Sequence, residues 1–333
     1  MSPEPGTAGY PHKNCPVLVC SNPNSYPAPG KIRYGISQPK FMKTTTQTHL
    51  FKNAIGVSQP DVSDEAIAAF QKQVLSFYER HGRHEMLWRH TDDPYRILVS
   101  EIMLQQTQVE RVAVKYPEFI AAFPDAAALA RAPQSAVIAA WQGMGYNRRA
   151  IALKKCAEKI VDEFGGTVPR DPEVLATFPG IGPATASSIC AFAFNLPVVF
   201  IETNIRRVFI HSFFPDRESV TDKEILPLAG RTLDREQPRV WYWALMDLGT
   251  ELKKHMPNPN RKSAAYTKQA PFEGSDRRIR GMILKFLIEK APSREKAILD
   301  CVQEEPVRVR RILAALEKEG FIRKSKTGYR LAE

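Results

Sequence analysis

A carboxyl group inside an apolar helical stretch is the first candidate for chemistry. Glu101 lies among Ile97, Leu98, Met103 and Leu104, in a run whose spacing predicts a helix. Apolar neighbours remove water from a carboxyl group and so raise its pKa toward neutrality. A carboxylic acid with such a pKa can deliver a proton to a reacting atom at neutral pH. Glu101 is therefore predicted to be a general acid, the alternative being a glutamate that caps a helix or faces solvent.

A turn with two glycines is the second candidate. Residues 178–186 read Phe-Pro-Gly-Ile-Gly-Pro-Ala-Thr-Ala, so Gly180 and Gly182 let the backbone turn tightly and approach a ligand closely. Pro183 suits the first position of the helix that follows. The amide groups of such a turn and helix N-terminus would bind an anion, for which a DNA phosphate is the natural choice. Taken alone, two glycines spaced in this way are more commonly explained by a plain helix–helix connection.

Charge is concentrated at the two ends of the chain. The 333 residues carry a formal net charge of +11. Residues 1–60 hold six basic and one acidic residue, residues 61–250 hold 21 and 24, and residues 251–333 hold 20 and 11. Basic ends on a nearly neutral centre favour a polyanion as partner, although basic tails also serve solubility.

The chain is predicted to remain inside the cell in a reducing compartment. No run of 18 apolar residues and no signal-peptide core occurs. The five cysteines, at 15, 20, 156, 190 and 301, are odd in number and scattered, which favours reduced thiols over a disulfide framework. His12, Cys15 and Cys20 lack a fourth metal ligand at a suitable spacing.

The elements that must position these groups are almost all helical. Residues 1–60 carry nine of the 26 prolines and five glycines, which predicts a disordered basic extension. From 61 to 252 the apolar spacing is helical throughout, with Ser63 and Asp125 as N-caps and a helix from Pro94 through Thr107. This region is predicted to be one all-α domain, followed by a linker at 253–274.

A small second domain is predicted at 275–333. Helices are expected at 275–290, from Ser293 and at 306–319, and residues 321–331 alternate around a Thr-Gly turn as a β-hairpin does. Three helices and a basic hairpin resemble a winged helix. The third helix is expected to expose four cations to a phosphate backbone, namely Arg308, Arg310, Arg311 and Lys318. Winged helices also dock proteins, so that alternative stays open.

Several motifs together resemble the helix-hairpin-helix DNA glycosylase superfamily, and within it the MutY adenine glycosylases. The glycine turn is followed by Ile-Glu-Thr-Asn-Ile-Arg-Arg-Val at 201–208, and Ser-Glu-Ile-Met-Leu-Gln-Gln-Thr lies at 100–107. Leu-Trp-Arg at 87–89, Trp-Gln-Gly-Met-Gly-Tyr at 141–146 and Met-Asp-Leu-Gly at 246–249 match further segments in the same order. The resemblance covers residues 62–250 and implies two helical lobes around a helix-hairpin-helix motif.

The resemblance implies roles for the site residues. Cleavage of a purine–deoxyribose bond passes through a positively charged sugar, so it needs an acid for the leaving base and an anion near the sugar. Glu101 matches the acid and Glu202 the anion, while Asn204 matches a residue that hydrogen-bonds near the sugar or water. Trp88 and Arg89 match positions that line the pocket for the extruded base.

Contacts with the duplex are implied for a further set. Gln106, Met144 and Tyr146 match residues that fill the gap left by the flipped base or wedge beside the opposite base. The complete set of DNA-binding candidates is Gln105, Gln106, Thr107, Met144, Tyr146, Gly180, Gly182, Ala184 and Thr185.

The chain departs from the family at four places. Glu202 stands where aspartate is usual, which moves the charge about one methylene farther from the backbone. Ala184 stands where bifunctional relatives have a Schiff-base lysine and MutY enzymes often have serine or tyrosine. No cysteine lies between Gly249 and Phe272, so the iron–sulfur cluster of the family is not expected and no cofactor is required. The C-terminal domain that recognises 8-oxoguanine is replaced by the winged-helix-like domain.

The function implied is that of a monofunctional DNA glycosylase, without lyase activity, that removes a mispaired base, adenine in the first instance. A glycosylase for uracil, thymine or hypoxanthine and a non-catalytic DNA-binding or regulatory protein are the alternatives. The partner expected is double-stranded DNA with a mismatch or damaged base, bound by a monomer in the cytoplasm, on the nucleoid of a prokaryote.

Overall fold

The computed structural model describes residues 62–268 and 271–333. The predictions for residues 1–60, including the one for His12, Cys15 and Cys20, lie outside the described residues. The described residues form fourteen α-helices and one β-hairpin. The helices are α1 (Asp64–His81), α2 (Pro94–Leu104), α3 (Val109–Ala122), α4 (Ala126–Arg131), α5 (Gln134–Ala140), α6 (Arg148–Phe164), α7 (Pro172–Leu175), α8 (Pro183–Phe194), α9 (Thr203–Phe213), α10 (Asp222–Thr232), α11 (Pro238–His255), α12 (Asp276–Lys290), α13 (Glu295–Val302) and α14 (Pro306–Lys318). The strands are β1 (Ile322–Ser325) and β2 (Gly328–Leu331). The all-α prediction is confirmed.

Local sequence signals explain where several helices begin. The Ser63 side chain accepts a hydrogen bond from the amide of Ala66, and Asp125 caps α4 in the same way, as predicted. Asp93 caps α2 while Pro94 occupies its first turn. Side-chain oxygens at these positions satisfy amides that have no partner inside the helix.

Two hydrophobic clusters build the two predicted lobes. One gathers buried residues from 86 to 190, and the other gathers residues 62–78 with Ile97 and residues 191–252. Helix α8 belongs to both, because Ile189 and Cys190 pack in the first cluster and Ala191 to Ala193 in the second. A helix that is apolar on all sides must be buried on all sides, so α8 lies between the lobes.

Helix α2 ends three residues before the predicted end at Thr107. Gln105 leaves the helical conformation and Gln106 has a left-handed φ of 55°. The reason is Arg149 of α6, whose guanidinium donates to the carbonyl oxygens of Ile102 at 2.9 Å and Met103 at 3.0 Å and also to that of Gln105. A cation at the end of a helix satisfies its last carbonyl groups. Residues 105–107 therefore form a loop beside α2.

The turn between α7 and α8 is the predicted hairpin of a helix–hairpin–helix motif. Gly180 has φ +75°, a conformation that favours glycine, and a Cβ atom there would lie 2.9 Å from Cβ of Ala152. Gly182 precedes α8 and Pro183 is its first residue. Both glycines are exposed, so the amide groups of the turn are accessible to a ligand.

The C-terminal elements fold as predicted and pack on the first lobe. Their cluster includes Ile138 of α5, and the Gln134 side chain donates to the carbonyl oxygen of Gly320 at 2.6 Å. Glu319 accepts from Arg148 of α6 and Arg280 of α12. Hydrogen bonds from Arg148 and Arg280 hold the pKa of Glu319 at about 2. This carboxylate therefore joins the C-terminal elements to the first lobe.

The segment predicted as a linker is partly packed. Helix α11 continues to His255, and a 3₁₀ turn follows at Pro259–Lys262. Asn260 and Ser263 are buried, and Val220 pairs with Ser263 through a β-bridge. The domain boundaries stay predictions, but residues 256–264 lie against the second lobe.

Within the described residues, no helix is long and apolar enough to cross a lipid bilayer.

Candidate active site

A cavity of about 440 Å³ lies between the two lobes. Helices α2 and α8 of the first lobe and α9 and α11 of the second supply most of its wall. It brings together ten of the predicted site residues, namely Trp88, Arg89, Glu101, Gln105, Gln106, Thr107, Ala184, Thr185, Glu202 and Asn204. Of the predicted set, Met144, Tyr146, Gly180 and Gly182 lie outside the lining.

Glu101 lies on α2 with its carboxyl group at the cavity. Burial raises the pKa of Glu101 to about 7. The hydroxyl of Ser188 donates to Oε2 at 2.6 Å and opposes that rise, whereas the charge of Glu202 adds to it. Glu101 is thus half protonated near neutral pH, which is the property expected of a general acid.

Glu202 is the N-cap of α9. Its Oε1 accepts hydrogen bonds from the amides of Asn204 at 2.6 Å and Ile205 at 2.9 Å. Burial raises the pKa of Glu202, and these amides together with Arg207 and Arg206 oppose the rise. The longer side chain folds back on its own helix, so its charge is held at the positive end of α9.

Asn204 is held from both ends of its side-chain amide. Its Nδ2 donates to Oε2 of Glu202 at 3.3 Å, and its Oδ1 accepts from Arg207 at 2.8 Å. Arg207 in turn donates to Oδ1 of Asn258 at 3.0 Å, and Asn260 donates to the carbonyl oxygen of Thr203 at 2.8 Å. The packed part of the predicted linker therefore orients the start of α9.

The Met-Asp-Leu-Gly motif supports the site from α11. A Cβ atom on Gly249 would lie 2.4 Å from the carbonyl oxygen of Asn204, so only glycine lets α11 approach α9 this closely. Asp247 is buried and accepts two hydrogen bonds of 2.8 Å from Arg89, and Arg83 donates to it as well. Such a bidentate pair fixes the orientation of Arg89.

Trp88 and Arg89 form one end of the cavity. Trp88 is buried and packs edge-to-face on Tyr116 with ring centroids 5.9 Å apart. The Arg89 guanidinium lies 5.4 Å from the ring centroid of Trp243. Both residues line the cavity, and their contact with an extruded base stays a prediction.

The loop after α2 is tied to the hairpin. Nε2 of Gln105 donates to the carbonyl oxygen of Gly180 at 3.2 Å. It also lies 3.4 Å from the hydroxyl of Thr185. The side chain of Gln105 therefore joins the predicted phosphate-binding turn to the loop that follows α2.

Met144 and Tyr146 differ in their surroundings. Met144 is only 2% exposed and belongs to the core of the first lobe. The structure thus gives it a packing role in place of the predicted contact with the duplex. The half-buried Tyr146 has a left-handed φ of 47°, and its ring lies near the guanidinium groups of Arg149 and Arg277, at 5.4 Å and 5.1 Å. Its hydroxyl accepts a hydrogen bond from Arg277.

Sequence reasoning did not find Ser188, Arg149 or the Asn258–Asn260 pair. Ser188 lies one turn after Thr185 in a helix that is otherwise almost wholly apolar, and a hydroxyl in such a position signals a buried partner. Nothing in the local pattern around Asn258 distinguishes it from a residue of an exposed turn.

Comparisons with known proteins agree with this geometry. Residues 99–228 match the model of the HhH-GPD superfamily of base excision DNA repair proteins. The adenine DNA glycosylase of Mycolicibacterium smegmatis is 32% identical over 275 residues, which cover 77% of this chain and 93% of that protein. The thymine/uracil-DNA glycosylase of Pyrobaculum aerophilum is 31% identical over 171 residues, covering 50% of this chain and 74% of that protein.

The fold also has a counterpart among solved structures. A thermostable thymine-DNA glycosylase superposes with a TM-score of 0.52 at 26% identity, over 57% of this chain and 88% of that one. The matched family segment includes Glu101, the hairpin and Glu202. The chain therefore belongs to the HhH-GPD superfamily of base excision DNA repair proteins and, within it, to the adenine DNA glycosylase family.

Proposed function

We propose that this DNA glycosylase removes adenine from mispaired duplex DNA by hydrolysis. The observation that carries the proposal is the pair of carboxyl groups in the cavity, of which Glu101 has a pKa of about 7 and Glu202 is held at a helix N-terminus. The adenine assignment is supported by the relative from Mycolicibacterium smegmatis, which the chain covers almost completely.

The residues divide the reaction between them. Protonated Glu101 gives its proton to a ring nitrogen of the extruded base, so the electron pair of the N-glycosidic bond can leave with the base. The positive charge that develops on the sugar is stabilised by the carboxylate of Glu202. Water then adds to the sugar carbon and loses a proton, for which the ionised Glu101 is the acceptor. The products are the free base and an intact abasic site.

A panel of duplexes tests the substrate assignment. Oligonucleotides would carry adenine, uracil, thymine or hypoxanthine opposite guanine, cytosine or 8-oxoguanine, and single-turnover excision would be measured. The fastest excision is expected for adenine. Faster excision of thymine or uracil would favour the second candidate, which the Pyrobaculum aerophilum relative supports. Absence of excision from every duplex would indicate a non-catalytic DNA-binding protein.

The rate of excision should fall at alkaline pH. Because the acid form of Glu101 is needed and its pKa is about 7, the single-turnover rate should decrease about tenfold per pH unit above that value. Ser188→Ala removes a hydrogen bond that lowers this pKa, so it should move the alkaline limb to higher pH. A rate that is constant from about pH 7 to about pH 9 would contradict the role of Glu101.

We infer that the enzyme lacks lyase activity. Ala184 lies at the cavity, and no lysine is among the residues that line it in the described part of the chain. An amine is required to form a Schiff base with the sugar.

Borohydride should therefore trap no complex of the wild-type protein with abasic DNA, and strand breaks should appear only after hot alkali. Ala184→Lys is expected to give only partial trapping, because the two carboxylates of the cavity raise the pKa of a lysine there and so keep most of its amine protonated. Reproducible trapping by the wild-type protein, after further purification, would reveal a lysine elsewhere.

We also infer that the protein holds no iron–sulfur cluster. The residues that follow Met-Asp-Leu-Gly do not fit one, since no cysteine occurs from 250 to 271. Burial raises the pKa of the Cys156 thiol to about 12 and that of Cys190 to about 11, which disfavours the thiolates that iron requires. The Asn258–Arg207 contacts occupy the segment in which the family places the cluster.

Protein purified without oxygen should contain no stoichiometric iron. Metal analysis that found about four irons per chain would overturn this inference.

The setting of the activity is proposed on the same basis. We infer a monomer that acts on chromosomal DNA in the cytoplasm of a prokaryote. The bacterial relatives support the prokaryotic source. Elution at twice the expected mass in gel filtration would contradict the monomeric state.

A further inference from the structure

The C-terminal hairpin carries an unusual pair of like charges. In the register of β1 and β2, Arg323 lies directly opposite Arg330. Both are exposed, whereas Ile322 and Leu331 on the other face are buried. Like charges at directly opposed positions of an antiparallel pair repel each other and weaken the hairpin. We call residues 322–331 the wing. The repulsion between its two arginines lowers the stability of the hairpin.

Nothing within residues 62–268 and 271–333 neutralises this charge by an ion pair. No carboxylate of these residues forms a salt bridge with Arg323, Arg330 or the exposed Lys326 in the turn. Lys324 lies with its ammonium group 5.4 Å from the ring centroid of Tyr329 on the inner face. The outer face of the wing thus presents Arg323 and Arg330 to an external anion, and its turn presents Lys326.

The arginines of α14 are in the opposite situation. Arg308 and Arg311 both donate to Asp276, at 2.8 Å and 2.7 Å, and Arg310 donates to Glu295 at 2.7 Å. Arg308 is also partly buried, in contrast to the exposure predicted from the sequence. Neutralised cations release few counterions from a phosphate backbone. The three arginines of α14 are thus paired, whereas its exposed Lys318 forms no salt bridge with the described residues. That α14 lies on phosphates stays a prediction.

The base of the wing is fixed to the first lobe. The Ser135 hydroxyl of α5 lies 3.2 Å from both carboxylate oxygens of Glu333, two residues after the wing. Within the C-terminal elements, the amide of Ala332 donates to the carbonyl oxygen of Phe321 at 3.0 Å and closes the base of the wing. Together with the contacts of Gly320 and Glu319, these bonds hold the wing at a fixed position relative to the cavity. Once the cavity has bound the duplex, a contact between the wing and the same duplex is intramolecular, so it adds to the affinity for DNA.

We propose that the wing, through Arg323, Lys326 and Arg330, binds the phosphate backbone of the duplex that flanks the excised base. The partner follows from the chemistry, because guanidinium groups without carboxylate partners match phosphate oxygens in charge and in hydrogen-bond geometry. This inference rests on the DNA-binding function proposed above but not on which base is removed. The contact is independent of sequence, since phosphates carry no base information.

The test compares two double variants that change net charge equally. Arg323→Gln with Arg330→Gln removes the free pair, and Arg310→Gln with Arg311→Gln removes two arginines that are already paired. Binding of each protein to an undamaged duplex would be measured by fluorescence anisotropy over a range of salt concentrations. For the wing variant the slope of log affinity against log salt should become shallower by about 1.8, since each lost phosphate contact removes about 0.9. The α14 variant should keep the slope of the wild type.

Two further measurements make the outcome decisive. The conservative variant Arg323→Lys with Arg330→Lys should recover the wild-type slope, because it keeps the charges. The midpoint of thermal unfolding of the glutamine variant should stay unchanged or rise, because the repulsion is removed. Equal slopes for all variants, or the same loss in the wing and α14 variants, would overturn the proposal. An unchanged slope for the wing variant would favour the alternative that the winged-helix-like domain docks a protein.

The proposal and the assignment of activity fail separately. Single-turnover excision at saturating protein should be the same for the wing variant and the wild type, because the wing lies outside the cavity. If the wild type excised no base, the glycosylase assignment would be refuted. The slope of log affinity against log salt could still be measured and would still test the contact with the wing. Point substitutions are preferable to deletion of the C-terminal residues, which would expose Ile138 and the other apolar atoms that they cover.

Discussion

Replacing Glu101 by glutamine is expected to lower the single-turnover rate of base excision by a factor on the order of 10² to 10⁴. Glutamine has the shape of glutamate and can still accept the hydrogen bond from Ser188, but it has no proton to give to the leaving base. The cavity should therefore keep its form, and duplex binding by the variant should stay close to that of the wild type.

A matched substitution separates catalysis from charge. Glu79→Gln makes the same chemical change at an exposed position of α1 and should leave the rate unchanged. Anisotropy with a duplex that carries the substrate base would confirm that both variants bind. Excision by the Glu101 variant at a rate near that of the wild type would remove this residue from the mechanism.

The acid and the hairpin could be predicted because each leaves a local signal. Glu101 is a lone carboxyl group in an apolar helix, and its neighbours alone imply a raised pKa. The hairpin also has a local signal, since Gly180 and Pro183 are residue types that its backbone requires. In both cases the residues that determine the property lie within one or two turns of chain.

The supporting contacts could not be predicted because they join distant parts of the chain. Arg149 ends α2 from a position more than forty residues later, so helical periodicity alone carried the prediction past Leu104. Asn258 reaches Arg207 across fifty-one residues, and its local sequence resembles an exposed linker. Periodicity reports which face of an element is apolar, but it does not report which distant polar group will cover its end.

Charge shows the same limit. The sequence indicates a basic C-terminal region, and that is confirmed, but it does not indicate which cations are paired. Asp276 neutralises Arg308 and Arg311 because α12 and α14 pack side by side. Among the arginines of α14 and of the hairpin, the two without a carboxylate partner in the described part of the chain are Arg323 and Arg330, which β-pairing brings together. The distinction depends on tertiary contacts, and it decides which surface is available to DNA.

Asp247→Asn is expected to produce the largest loss of stability among the substitutions considered. The side chain of Arg89 is only 5% exposed, and Asp247 is its carboxylate partner. Removing the charge of one partner in a buried pair leaves an uncompensated ion, which costs about 3 to 5 kcal/mol. Thermal unfolding, measured by circular dichroism, should therefore begin about 10 °C lower, given about 2 to 4 °C per kcal/mol for a chain of this size.

The pH dependence of this loss has a defined sign. Burial acts to raise the pKa of Asp247, but the hydrogen bonds and charges of Arg89 and Arg83 outweigh it and hold the pKa below its ordinary value. The stabilisation is therefore present above the ordinary pKa of an aspartate and is lost as the pH falls through the lowered value. The difference in unfolding free energy between wild type and variant should be constant near neutral pH and should narrow in acid.

A second substitution shows that the cause is the unpaired charge. Adding Arg89→Met to Asp247→Asn removes the buried cation, so the double variant should be more stable than Asp247→Asn alone. The side chain of Arg83 is 27% exposed, against 5% for Arg89, so it can turn to water and needs no such compensation. If the double variant were as unstable as Asp247→Asn alone, an unpaired charge would not be the cause. The loss of stability would then come from altered packing of α11 against the 3₁₀ turn at Leu87–Arg89.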